Sequence, residues 1–178
     1  MVDLETLSTE SDAAVIAIGA VAFDSTNILS EFEVLIDPVK TPGHRSALTL
    51  EWWAKQDREV RERMFSGKAS PSEGYFAFLN WADSQNLKFI WGNDPQFDVA
   101  ILRNLRKWVQ SQGGSSKVEF PFHFRSERSF RTITWIAKMC ELDYSEAYAD
   151  NVAHDALSDA KAQARAVQVI AHKLGLKL

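Results

Sequence analysis

The feature that most constrains this chain is Val15–Phe23 (VIAIGAVAF), nine residues without a polar side chain and rich in β-branched ones. Such a run reads as a buried strand. Asp24, Ser25, Thr26 and Asn27 follow as a turn cluster. Residues 28–36 alternate well enough to be the partner strand, which Asp37-Pro38 ends. Two strands joined by so short a turn pair antiparallel.

The rest of the chain adds helices and short strands. Residues 41–45 read as a loop, and 49–65 as a helix with Thr49 as its cap. Ser72 and Glu73 open a helix to residue 85, with Phe76, Leu79 and either Trp81 or Ala82 inward. A short strand is expected over 87–91, then an amphipathic helix over 95–110 with Phe97, Ile101, Leu105 and Trp108 at helical spacing. Residues 112–117 form a Gly/Ser loop expected to be mobile, 119–122 a candidate strand, and 129–140 a helix. The last helix covers 155–174. Leu157, Ala160, Ala164, Val167, Ala171 and Leu174 make its apolar stripe, and Gly175 stops it. This order predicts an α/β fold: a mixed sheet with an antiparallel start and parallel additions, flanked by helices. No repeat or linker divides it, so a single domain over 1–178 is expected.

Composition narrows the function classes. The 178 residues are 46% hydrophobic and 25% charged, ordinary values for a globular domain. The net charge of −4 argues against a protein that coats nucleic acid through a basic surface. It leaves room for an enzyme whose acidic site meets phosphate through divalent cations. The one cysteine, Cys140, excludes an intramolecular disulfide. No run reaches the roughly 18 apolar residues of a membrane span. The start, Met1-Val2-Asp3-Leu4-Glu5, lacks the basic region of a signal peptide. A cytoplasmic location is the expectation.

Three acidic segments carry the chemistry. Asp3 and Glu5 are two apart, so on a strand they share a face. Like charges that close demand raised pKa values or a cation; alone, the pair reads more readily as a frayed terminus with both acids solvated. Asp98 sits early in the 95–110 helix, just after a strand, where α/β sheets place their sites. Alone, it reads as an acid complementing the helix dipole. His154 and Asp159 are five apart, roughly 140° around one helix. His154 is therefore expected in the loop or cap before the last helix, and Asp159 on its second turn. A histidine beside a carboxylate suits a base near a metal, though a plain capping segment has the same look.

Taken together, these residues resemble the DEDDh branch of the ribonuclease H-like exonucleases. The motifs are Asp3-Leu4-Glu5-Thr6, Asn93-Asp94-Pro95-Gln96-Phe97-Asp98, and His154 to Asp159, covering nearly the whole chain. Asp3-Leu4-Glu5-Thr6-Leu7, Ile18-Gly19-Ala20-Val21, Leu50-Glu51-Trp52-Trp53 and Arg131-Thr132 are similar to the small DexA-type exonucleases. That group includes a poly(A)-specific bacterial ribonuclease and exodeoxyribonuclease VIII-like proteins. Two departures stand out: only two residues precede Asp3, and Leu7-Ser8 replaces the Thr-Gly or Leu-Gly of many relatives.

The resemblance implies two Mg2+ or Mn2+ ions held by Asp3, Glu5, Asp98 and Asp159, with His154 as the base. It implies release of nucleoside 5′-monophosphates from the 3′ ends of single-stranded RNA or DNA, and a homodimer. Thr6, Leu7, Asn93 and Arg131 become candidate substrate contacts. Trp52 and Trp53 are adjacent on a predicted helix and cannot face the same way. One is expected in the core; the other either stacks on a base, worth about 1–3 kcal/mol, or packs as well. Arg58, Arg61, Arg63 and Lys68 read as a solvated face or as a guide for a single strand, and Arg125, Arg128 and Arg131 as a patch for substrate or a second subunit. His44, His123 and His172 read as structural. The residues themselves do not separate RNA from DNA, since the contact to the 2′-hydroxyl is not legible; the poly(A)-type relatives favour RNA. A binding module that lost turnover is the competing class. A structural metal domain would use Cys or clustered His instead.

Overall fold

The computed structural model describes residues 1–113 and 119–178. Its strands are β1 (Val2–Thr6), β2 (Val15–Phe23), β3 (Ile28–Leu35), β4 (Ile90–Gly92) and β5 (Glu127–Ser129). Its helices are α1 (Ala47–Ala54), α2 (Arg58–Met64), α3 (Pro71–Ser84), α4 (Asp98–Ser111), α5 (Phe130–Met139) and α6 (Ala156–Lys173). The sheet order is β3-β2-β1-β4-β5. β1, β2 and β3 pair antiparallel, and β4 and β5 join in parallel. This is the expected mixed α/β sheet of ribonuclease H-like type.

The alternation along β1 sorts the molecule into layers. Val2 and Leu4 enter a core with Ile18, Ala20, Tyr75, Phe78, Leu102 and Leu105, beneath α3 and α4. On the opposite face, Val21 packs with Phe130, Ile133, Val167 and Ile170 of α5 and α6. Ile16, Ile18, Phe78, Leu102 and Ile170 are fully buried, each contributing about 1.5–3 kcal/mol. α6 lies close to the sheet because it is lined with buried alanines, Ala156, Ala160, Ala164 and Ala166 among them. The approach is close at Gly19, where a Cβ would fall 2.2 Å from the Ala156 carbonyl carbon.

Several expected boundaries move for local reasons. The helix expected over 49–65 is two helices. Asp57 accepts the N–H groups of Glu59 and Val60 and starts α2 afresh, and Thr49 lies inside α1, whose N-cap is Ser46. α3 is opened by Ser70 in a reciprocal capping box with Glu73, not by Ser72. Phe76 is 42% exposed, while Tyr75 and Phe78 face the core. The strand expected over 87–91 is Ile90–Gly92. Residues 119–122 are not a strand: Phe120 and Phe122 pack on the core, and the parallel edge is Glu127–Ser129. Most of the 112–117 loop lies outside the described residues. Among the described residues, no helix is long and apolar enough to cross a membrane.

Candidate active site

Asp3 and Glu5 leave the α6 face of β1, and both are buried. Their partners on β2 are Gly19 and Ala17, small residues that let the start of α6 come down onto the sheet beside the two acids. The β1–β2 register shifts just after Glu5, a kind of irregularity that often re-aims side chains beside active sites. The short lead before Asp3 does not fray the strand: Met1 and Val2 are buried, and the Met1 amine donates to the Val21 carbonyl at 2.8 Å.

α6 brings the next acid. Its N-cap is Asp155, whose Oδ1 accepts the Ser158 N–H at 3.0 Å. Asp159 lies in the first turn of the helix rather than the second. Its Oδ2 accepts the backbone N–H of His154 at 2.8 Å, and its Oδ1 accepts Nδ2 of Asn151 at 2.8 Å. His154 precedes the helix, as expected, and has φ of 65°, an uncommon conformation for a residue with a side chain. Its ring meets Trp52 edge-on, with centroids 4.7 Å apart. Atoms of Glu5, His154 and Asp159 able to bind a cation all lie within 4.8 Å of one another.

Asp98 is the first residue of α4. Pairing of β1 with β4 is confined to Val2 opposite Gly92. Beyond it the Asp98 carboxylate takes over: Oδ2 accepts the backbone N–H of Asp94 at 3.2 Å, and the backbone dipoles of Leu4 and Asn93 favour its charge. Gly92 makes room for it, since a Cβ there would lie 3.0 Å from Oδ2 of Asp98.

The electrostatics link all four carboxylates. Burial raises the Asp3 carboxyl well above its usual range, and the charges of Asp98, Glu5 and Asp159 raise it further. Glu5 is pushed up to about 8 by burial, then by Asp159, Asp155 and Asp98. Asp98 is pushed up to about 7 by burial, against the pull of its backbone donors. Buried carboxylates that repel one another are stable as ions only with added positive charge. An oxygen-rich set with one imidazole fits hard divalent cations such as Mg2+ or Mn2+. Close to Asp3, the buried Oε1 of Gln163 takes no hydrogen bond from any described residue, and an orphaned acceptor of that kind fits a site that holds an ion and its water.

The candidate substrate residues divide. Trp53 is in the core, where Nε1 donates to the Thr6 carbonyl at 2.9 Å; Trp52 is 39% exposed beside His154. Thr6 and Leu7 are buried, with the Thr6 hydroxyl donating to the Ser8 carbonyl. The Asn93 carbonyl accepts the Arg131 N–H at 3.1 Å. The Arg131 side chain is exposed, 3.8 Å from the Asp94 carboxylate. Arg63 pairs with Glu33 and Asp155, and Arg58 with Glu62, so these two are engaged rather than free. His44 bonds Ser8 and His123 caps a turn, as structural residues do.

The motifs missed three residues. Asn151 holds Asp159 from eight positions away, with no spacing to betray it. Tyr148 lies near Asp159 and Asp3; burial, then Tyr144 and those acids, raise its hydroxyl to about 12. Gln163 donates from Nε2 to Asp3 at 2.8 Å. Its signal was present, as a polar residue within the buried alanines of α6.

The geometry agrees with what the chain is similar to. An exodeoxyribonuclease of Enterobacteria phage T4 is 26% identical, over 89% of this chain and 82% of the phage protein. The model of the 3′-5′ exoribonuclease Rv2179c-like domain matches residues 1–171. With that match spanning nearly its full length, the chain belongs to the Rv2179c-like 3′-5′ exoribonuclease domain family.

Proposed function

We propose that this chain is a DEDDh-type 3′→5′ exonuclease that removes nucleoside 5′-monophosphates from single-stranded nucleic acid in a two-metal reaction. The observation that carries this reading is the convergence of Glu5, His154 and Asp159 within 4.8 Å, beside the buried, mutually repelling acids Asp3 and Asp98.

Asp3, Glu5, Asp98 and Asp159 would hold the two ions, Mg2+ or Mn2+. When bound, such ions neutralise the scissile phosphate and stabilise the attacking and leaving oxygens of an in-line displacement. The protein's own residues do the rest. His154 takes the proton of the attacking water, a task suited to an imidazole at neutral pH. Its backbone N–H, bound to Asp159, ties the base to the ligand set. Trp52 fixes the imidazole edge-on and offers its exposed face to the terminal base. Arg131, in the first turn of α5 with its N–H on the Asn93 carbonyl, meets a phosphate of the strand.

RNA is the favoured polymer, supported by the exoribonuclease description of the family. DNA is the second reading, supported by the similarity to the phage exodeoxyribonuclease. The test uses 5′-labelled RNA and DNA oligomers with Mg2+, Mn2+ or EDTA, beside Asp159→Ala. The expected result is a metal-dependent ladder shortening from the 3′ end, faster on RNA and absent in the variant. Cleavage that persists in EDTA, or equal activity of Asp159→Ala, would refute the mechanism.

A further inference from the structure

Gln163 is 6% exposed, the one polar side chain among the buried residues of α6. It lies four residues after Asp159, so both rise from the same side of α6. Its Nε2 donates to Oδ1 of Asp3 at 2.8 Å, and this bond favours the ionised carboxylate against the burial and repulsion that oppose it. The other end of the same planar amide, Oε1, is buried without a partner among the described residues. A buried polar atom left unsatisfied costs about 1–3 kcal/mol, so a leucine or methionine would suit this position better if packing were its only role.

We infer that Gln163 is a positioning residue of the metal centre: its Nε2 orients Asp3 as a ligand, and its Oε1 accepts from the water shell of the bound cation. The inference rests on the metal-centre reading above and extends it to a residue outside the four acids and the histidine. Ligating carboxylates are themselves hydrogen-bonded, and removing such a partner typically lowers metal affinity or activity about 10–100-fold. Two bonds explain the amide. A donor is needed because Asp3 must stay ionised, and an acceptor because hydrated divalent cations present hydrogen atoms outward. Gln163 supplies both from a helix already fixed by Gly19 and Asp155.

The experiment compares the wild-type chain, Gln163→Met and Asp159→Asn. Mn2+ binding is read directly, from the loss of the free-ion paramagnetic resonance signal, and folding from thermal melts in EDTA. Gln163→Met is expected to melt in EDTA at or above the wild-type temperature, yet to bind Mn2+ about 10-fold or more weakly. At saturating Mn2+ its KM for a single-stranded oligomer is expected to stay within about twofold of wild type, because the amide touches the ligand and not the strand. Should Gln163→Met fail to melt cooperatively, Gln163→Asn, which keeps the amide but shortens its reach, is expected to show the same loss of affinity. Wild-type Mn2+ affinity in the folded variant, with Asp159→Asn impaired, would overturn this inference alone. A wild-type chain that binds no Mn2+ would overturn it together with the metal centre.

Discussion

β1 and the segment ahead of α6 both deliver functional groups to one site, by opposite means. β1 is a five-residue strand, buried throughout and paired on both sides. Asp3 and Glu5 are fixed by the sheet, and burial makes their charge costly. His154 lies outside regular structure, in a left-handed conformation. It is held by the carboxylate of Asp159, the edge of Trp52, and the neighbouring Asp155, which Arg63 ties to β3 through Glu33. In the proposed mechanism the rigid, dehydrated frame suits a ligand set, and the rim suits a base that exchanges its proton with water.

The contrast breaks most sharply at Asp3. Asp3→Asn is expected to cut kcat by on the order of 10³-fold, at the upper end for loss of one preorganised polar group. The same change should raise the melting temperature in EDTA, because it removes a buried, repelled carboxylate. Turnover assays and melts on one preparation check both; a stability loss in EDTA would contradict the electrostatic account. At the rim, His154→Ala should lower kcat by about 10²-fold or more while leaving the Mn2+-induced rise in melting temperature intact. Loss of that rise would make His154 a ligand rather than a base.

A smaller effect sharpens the same distinction through pH. Glu5 at about 8 and Asp98 at about 7 bind protons in the folded state that the unfolded chain, with ordinary carboxyls, has released. Where the folded state holds more protons, stability falls as pH rises. In EDTA the melting temperature should therefore decline from about pH 5 to about pH 8, and saturating Mg2+ should flatten the slope. A metal-free protein that gains stability over that window would count against these shifts. The least change is expected at Arg63→Met, which frees Asp155 and Glu33. The pairs are partly exposed, so stability should change by about 1 kcal/mol or less. kcat should drop a few-fold while Mn2+ affinity holds.

What the sequence made legible follows from periodicity. The apolar run of β2 and the stripe of α6 are dictated by burial on faces that repeat every few residues, and the four acids and His154 stand in spaced motifs. β5 was hidden because Glu127, Arg128 and Ser129 form a short polar edge strand whose only signature is its pairing with β4. The break before α2 was carried by one side chain, Asp57, within a stretch that read as helical from end to end. Asn151 and Gln163 hold carboxylates across the fold, from 8 and 160 residues away. Such partners belong to tertiary packing: Asn151 leaves no pattern of its own, and Gln163 shows only as a polar residue among the alanines of α6.

The most direct test is a crystal grown with Mn2+ and a nucleoside 5′-monophosphate, with anomalous scattering recorded at the manganese edge. Two peaks are predicted among Asp3, Glu5, Asp98 and Asp159, with the phosphate between them and the ring of His154 facing it. Anomalous peaks elsewhere, or none with the nucleotide clearly bound, would contradict the claim that the acids of β1, α4 and α6 form one two-metal site.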